Sequence, residues 1–211
     1  MGGVEAGRRI VVEVLGPLRV RDEADGDVSP SGILQRRLMA LLVLLVLRRG
    51  EVVSADAAID ALCPATAPRD AAAALQSHLS RLRSALPEGV IETVAAGYRL
   101  DPDRILVDAD RLADLLAGGA SEADARLEVG EMLRGWRGPA FPDLEDAGDA
   151  WADALALEEL RVRAGEVLAE ARLAAGDVDG LVADLAALVD REPLRERPRA
   201  LLMSALARTG R

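Results

Sequence analysis

The segment LQSHLSRLR, Leu75 to Arg83, gathers hydrogen-bonding side chains whose types and spacing suit one chemistry, the reading of base edges and phosphates in a nucleic acid. At 3.6 residues per turn Ser77 and Arg81 share a helix face, while Arg81 and Arg83 diverge by about 200°. On that face Arg81 can take a guanine edge through two parallel N–H bonds, and Gln76, Ser77 and Ser80 can add weaker contacts. Arg83 is the phosphate candidate, and His78, the sole histidine, belongs to the same DNA-facing stretch. Arg81 as a solvated or internally paired residue is the alternative. Leu75, Leu79, Leu82 and Leu86 fall on the other side as the buried stripe.

The remaining cationic candidates lie elsewhere. Arg36 and Arg37 precede an apolar run, Leu38 to Leu47, and can clamp a phosphate; Arg48 and Arg49 follow it and offset the helix dipole. Arg99 is the cation of a short extended segment, GYRL. All 26 basic residues are arginine, so every cationic contact must be made by a guanidinium, whose fork suits bidentate recognition of phosphates or carboxylates; a high-Ala, high-Arg genome bias is the alternative reading. Catalytic chemistry finds no such support. There is no phosphate-cradling Gly-Lys loop, no nucleophile elbow and no dinucleotide fingerprint, and His78 with the lone Cys63 cannot assemble a zinc site. We therefore expect no catalytic residue, no metal and no cofactor, and not an enzyme. A single cysteine forbids an intrachain disulfide and points to a reducing compartment, the cytoplasm. The longest apolar run is about half of the roughly 20 residues a membrane-spanning helix needs, so no membrane partner is expected.

The elements that must position these residues can be read in order. Ile10 to Leu15 is β-branched, Gly16-Pro17 punctuates it, and Leu18 to Arg21 alternates, which predicts a small antiparallel sheet. A helix is predicted over Ile33 to Arg49 with Gly50 ending it, and a second over Ala55 to Leu62 with Ser54 as N-cap. A third, over Ala71 to Leu86, has Asp70 as candidate N-cap and is stopped by Pro87 and Gly89. Val90 to Val94 and Gly97 to Leu100 then form a β-hairpin about Ala95-Ala96. Sheet, three helices and hairpin make a winged helix-turn-helix, whose third helix enters the major groove while the hairpin reaches an adjacent groove or backbone. Gly97 and Tyr98 are read as structural.

From Asp108 onward the sequence is helical and changes charge. Residues 1–107 hold 13 arginines and 14 acidic residues, whereas 108–211 hold 13 and 22, so nearly all of the net −10 lies in the second half. Only 2% of residues are aromatic, so the cores must be built from Ala, Leu and Val. VLAEARLAAGD (Val167 to Asp177) and LLMSALARTGR (Leu201 to Arg211) superpose Leu168 on Leu202, Ala171 on Ala205 and Gly176 on Gly210, at the 34-residue period of tetratricopeptide helix pairs. The expected fold is thus an α+β winged helix over 1–107 followed by an all-α, tetratricopeptide-like domain over 108–211. Trp136 and Trp151 are read as packing anchors, and the acidic run Asp143 to Asp153 as a solvated face or a surface for a basic partner.

VLGPLRV (14–20), LQRRLMALLVLLVLRRGEVVS (34–54), LQSHLSRLRSAL (75–86), GYRLD (97–101) and WRGPAFPDL (136–144) with LEELRVRAGEVLAEARLAAGD run in the order found in Streptomyces antibiotic regulatory proteins, which the chain resembles. The resemblance implies an OmpR-like winged helix joined to a bacterial transcriptional activation domain. It further implies a pathway-specific activator of secondary-metabolite genes that binds promoter direct repeats in double-stranded DNA, as two copies, and contacts RNA polymerase or its sigma factor. Members continue through another helix pair beyond the position of Arg211, so the activation domain is expected to lack its last helices. Two departures stand out: Ala71 to Ala74 replace the polar or basic start of the recognition helix, and Val94 stands where the hairpin tends to carry an arginine. They support an alternative, a DNA-binding-deficient relative acting as a protein- or peptide-binding adaptor.

Overall fold

The computed structural model describes residues 8–23, 26–27, 36–62, 71–118, 120, 122–136, 138–139, 141 and 149–210, with backbone alone for 26–27, 36 and 149–152. Asp70, the acidic residues Asp143, Glu145 and Asp146, and the side chains of Arg36, Asp149 and Trp151 lie outside what is described. The chain forms two compact units, Met1–Ala109 with Arg137–Ala156, and Asp110–Trp136 with Leu157–Arg211.

The first unit opens with β1 (Ile10–Glu13) and β2 (Arg19–Asp22), which pair antiparallel from Ile10↔Asp22 to Glu13↔Arg19. Their alternation buries Ile10, Val12 and Val20 and leaves Arg19 and Arg21 in solvent. The sheet is larger than the sequence suggested. A short β3 (Gly26–Asp27) adds to β2, and β6 (Ile105–Val107) pairs parallel to β1, giving the order β3-β2-β1-β6. Three aliphatic residues after a single 3-10 turn, Pro102–Arg104, were the available signal for β6. Asp108 locks the closure: its carboxylate accepts the N–H groups of Val14 at 2.8 Å and Leu15 at 3.2 Å, and that of Ala109 at 2.8 Å. Burial raises its pKa, and those three backbone bonds oppose the rise.

Helices α1 (Arg36–Leu47), α2 (Ala55–Leu62) and α3 (Ala71–Ala85) follow. Helix α1 is apolar nearly all round, and Leu38, Leu41, Leu42 and Leu45 are fully buried. Gly50 ends that segment at φ +86°. Ser54 caps α2 as expected, its Oγ accepting the Ala57 N–H at 3.1 Å. The hairpin is β4 (Ile91–Val94) with β5 (Gly97–Leu100), paired from Ile91↔Leu100 to Val94↔Gly97. Val53 bridges to Tyr98 through two backbone bonds, of 2.8 and 2.9 Å, so the segment before α2 adds a third edge to the wing.

The second unit is helical: α4 (Asp108–Ala117, lying in this unit from Asp110), α5 (Ala123–Gly135), the part of α6 (Asp149–Ala174) from Leu157, α7 (Leu181–Arg191) and α8 (Glu196–Arg208). Its core gathers Ala169 and Leu173 of α6, Leu181 and Leu185 of α7 and Ala205 of α8. The 34-residue repeat is real in three dimensions. Gly176 and Gly210 end α6 and α8 with φ of 75° and 74°, and Ala171 and Ala205 are both buried. Arg195 ties the start of α8 to α6, donating to Glu166 at 2.7 and 3.3 Å and to Glu159 at 2.7 Å. Trp136 is buried, with the Arg161 guanidinium 5.3 Å from its ring centroid. Among the described residues no helix is long and apolar enough to cross a membrane.

Candidate nucleic-acid interface

Helix α3 has one buried stripe, Leu75, Leu79 and Leu82, and everything else on it is arranged around that stripe. At 100° per residue, Gln76 and Arg83 flank it on one side, His78 on the other, and Ser77, Ser80, Arg81 and Ser84 face away from it. These last four are exposed. Ser84 Oγ donates to the Ser80 carbonyl at 2.9 Å, which uses one hydroxyl and leaves the Ser77 and Ser80 side chains outward.

The Gln76 and Arg83 flank is occupied by the hairpin. Gln76 Nε2 donates to the Tyr98 hydroxyl at 2.8 Å, and Arg83 donates to the Ile91 carbonyl at 3.2 and 3.3 Å and to Thr93 Oγ1 at 2.6 Å. Arg83, read from sequence as a phosphate ligand, therefore has an intramolecular task, bracing β4 against α3. Arg99 is likewise engaged, its Nε donating to Glu92 Oε2 at 2.6 Å across the register pair Glu92↔Arg99. Tyr98 is buried, and Gly97 sits where a Cβ would meet the Val53 carbonyl oxygen at 2.0 Å. Both hold the wing in place, and neither is free to reach a ligand.

The opposite flank gathers positive charge. His78 has its pKa lowered, first by burial and then by the Arg81 and Arg37 guanidinia, so its ring stays neutral near pH 7. Its Nδ1 is buried with no hydrogen-bond partner among the described residues. Arg37 of α1 and Arg81 are exposed, and among the described residues neither pairs with a carboxylate. Ser77, Ser80, Arg81, His78 and Arg37 thus form one face, with Gln76, Arg83 and Arg99 set along its hairpin edge. The bracing of the wing by Arg83 and Gln76 was missed in the sequence. Its signal was the i, i+7 spacing of two long donors on one flank, followed by a hairpin with a single tyrosine.

Comparison with known proteins places this arrangement. The Bacterial transcriptional activator domain family matches residues 100–211, and the family described as Transcriptional regulatory protein, C terminal matches residues 31–100. The transcriptional regulator RedD of Streptomyces coelicolor is 34% identical over 217 residues, which cover 96% of this chain and 60% of RedD. The regulatory protein DnrI of Streptomyces peucetius is 30% identical over 219 residues, covering 95% of this chain and 78% of DnrI. A solved structure of Mycobacterium tuberculosis EmbR in complex with a low affinity phosphopeptide superposes with a TM-score of 0.81 at 32% identity, over 97% of this chain and 56% of that one. The chain thus spans little more than half the length of several relatives it matches. A helix-and-hairpin unit joined in sequence to the activator domain, matched across nearly the whole chain by such regulators, makes this chain a member of the Streptomyces antibiotic regulatory protein family of transcriptional regulators.

Proposed function

We propose that the chain is a DNA-binding activator whose winged helix, residues 1–107, reads promoter direct repeats and whose helical domain, residues 108–211, contacts RNA polymerase or its sigma factor. The observation that carries this reading is the outward face of α3, where Arg81 stands exposed and, among the described residues, unpaired beside serine hydroxyls, with Arg37 and His78 next to it. Arg81 takes a base edge, Ser77 and Ser80 add contacts on the same face, and Arg37, with Arg36 next to it in sequence, meets phosphates. Family membership supports a cytoplasmic location and genes of secondary metabolism as the targets, with two copies side by side on the repeat.

The mechanism is recruitment and needs no chemical step. With Arg83 and Arg99 held in the hairpin, few cations remain for the backbone, so sequence recognition rests heavily on Arg81. That same scarcity supports the second reading, an adaptor whose α3 face binds a protein. Selection from random-sequence duplex DNA at roughly 50 to 200 mM salt separates the two. Recovery of a repeated motif supports the activator. Arg81→Ala should then cost about 1 to 3 kcal/mol at one base position while the melting temperature stays unchanged. Retention of no sequence, at any salt in that range, overturns DNA recognition and leaves the adaptor.

A further inference from the structure

The sequence from Asp108 onward carries nearly all of the net negative charge, yet one cleft in the helical unit is bordered by arginine. The cleft has a volume of about 590 Å³ and lies between α5, α6 and α7. Gly165, Leu168 and Ala169 of α6 line it, with Leu181, Leu185 and Leu188 of α7. Gly165 lets α7 approach α6 closely at the floor of the cleft, since a Cβ there would stand 3.3 Å from Leu188 Cδ2.

Four guanidinium-bearing residues, Arg134, Arg161, Arg172 and Arg191, border this apolar lining against only two carboxylates, Asp184 and Asp190. Arg172 is consumed by the fold: it donates to Asp177 at 2.8 Å, to Asp184 at 2.9 Å and to the Asp179 carbonyl. Arg161 stacks on Trp136 and lies 3.6 Å from Glu158. Arg134 and Arg191 have no ion-pair partner among the described residues. Each closes the last turn of its helix, where a cation offsets the terminal carbonyls, and that role leaves guanidinium N–H donors unspent.

We propose that this cleft binds an amphipathic organic anion, a small molecule with a carboxylate or phosphate head and an apolar body. Arg134 and Arg191 hold the head, and Gly165 with the leucines of α6 and α7 receives the body. Charge complementarity selects the anion: a cationic cleft in an otherwise acidic unit focuses potential onto one spot and repels anions elsewhere. Size selects a small molecule. The volume falls within the roughly 300 to 1,000 Å³ of small-ligand sites. A helix about 10 Å across, laid along the roughly 16 Å from Arg161 to Arg172, would need about twice that space.

Calorimetric titration of the full chain tests the assignment, with dodecanoate and dodecyl phosphate below their micelle concentrations as probes. Dodecyltrimethylammonium supplies the same body with the opposite charge, inorganic phosphate supplies the head alone, and an acidic Leu/Glu peptide supplies a protein-like ligand. The expected result is one site per chain for the two C12 anions, weakened at least tenfold in Arg134→Gln/Arg191→Gln with unchanged helicity and melting temperature. Ala187→Trp, at an exposed position on the rim, should abolish binding by filling the cleft without touching the arginines. The proposal is overturned by no saturable binding of either anion, by equal binding of the ammonium, or by wild-type affinity in both variants. Inorganic phosphate binding as tightly as dodecyl phosphate, or the peptide binding more tightly than both anions, also overturns it.

Discussion

Replacing Arg195 with alanine should cost the helical unit more than any surface charge change, and the geometry sets how much. The Glu166 side chain is 3% exposed and receives two hydrogen bonds from Arg195, whereas Glu159 is 60% exposed and receives one. Losing the Glu159 contact costs about 0 to 1 kcal/mol, as for any exposed pair. Losing the Glu166 contacts strands a buried carboxylate, which costs about 3 to 5 kcal/mol. For a unit of 82 residues, where 1 kcal/mol shifts the melting temperature by about 4 to 8 °C, the fall should be at least about 12 °C. Urea denaturation followed by Trp136 emission in a Trp151→Phe background reads the unit directly, because Trp136 is buried in it. One further measurement separates this cause from lost packing. Adding Glu166→Gln to Arg195→Ala should restore part of the stability, since a neutral amide costs less to bury. A loss under about 1 kcal/mol, with no recovery in the double variant, would refute the reasoning.

Gly97→Ala should unfold or displace the wing, because its Cβ would overlap the Val53 carbonyl oxygen at a φ of +149° that alanine avoids; a loss of about 2 kcal/mol or more is expected in thermal denaturation of the full chain. Glu128, Glu159 and Asp177 all have pKa values lowered by arginine hydrogen bonds, from Arg111, Arg195 and Arg172. Their contribution is therefore complete above the ordinary carboxylate range near pH 4 and is lost as pH falls through the lowered folded values. Being exposed, each contributes at most about 1 kcal/mol, and an acid titration of helical circular dichroism, with and without 1 M salt, should show the loss screened by salt.

Periodicity and punctuation carried most of the fold in the sequence. Ser54, Gly50 and the two alanines at the hairpin tip each specify backbone geometry within a few residues, and local geometry is what spacing encodes. The repeat was legible for the same reason, because Gly176 and Gly210 are both left-handed helix ends. Strand β6 was not legible. Its three residues have no alternation to display, and only pairing with β1, far away in the chain, makes them a strand. The interface divides along the same line. Helix phase placed Ser77, Ser80 and Arg81 outward, but phase says nothing about what packs against a flank. Arg83 and Gln76 were therefore claimed by the hairpin, and Arg37 joined His78 through the packing of α1 on α3.

The bond from the Val14 N–H to Asp108 joins residues 94 positions apart, and β6 reaches β1 across nearly the same interval. Closing so long a loop is slow relative to forming the hairpin and helices inside it. During synthesis at about 5 to 20 residues per second, β1 must wait several seconds for its parallel neighbour to be made. Strand β1 is thus among the last elements of its sheet to be secured, and Asp108, which secures it, is also the first residue of α4. Synthesis of the chain as far as Asp108 is in this way what closes the four-stranded sheet.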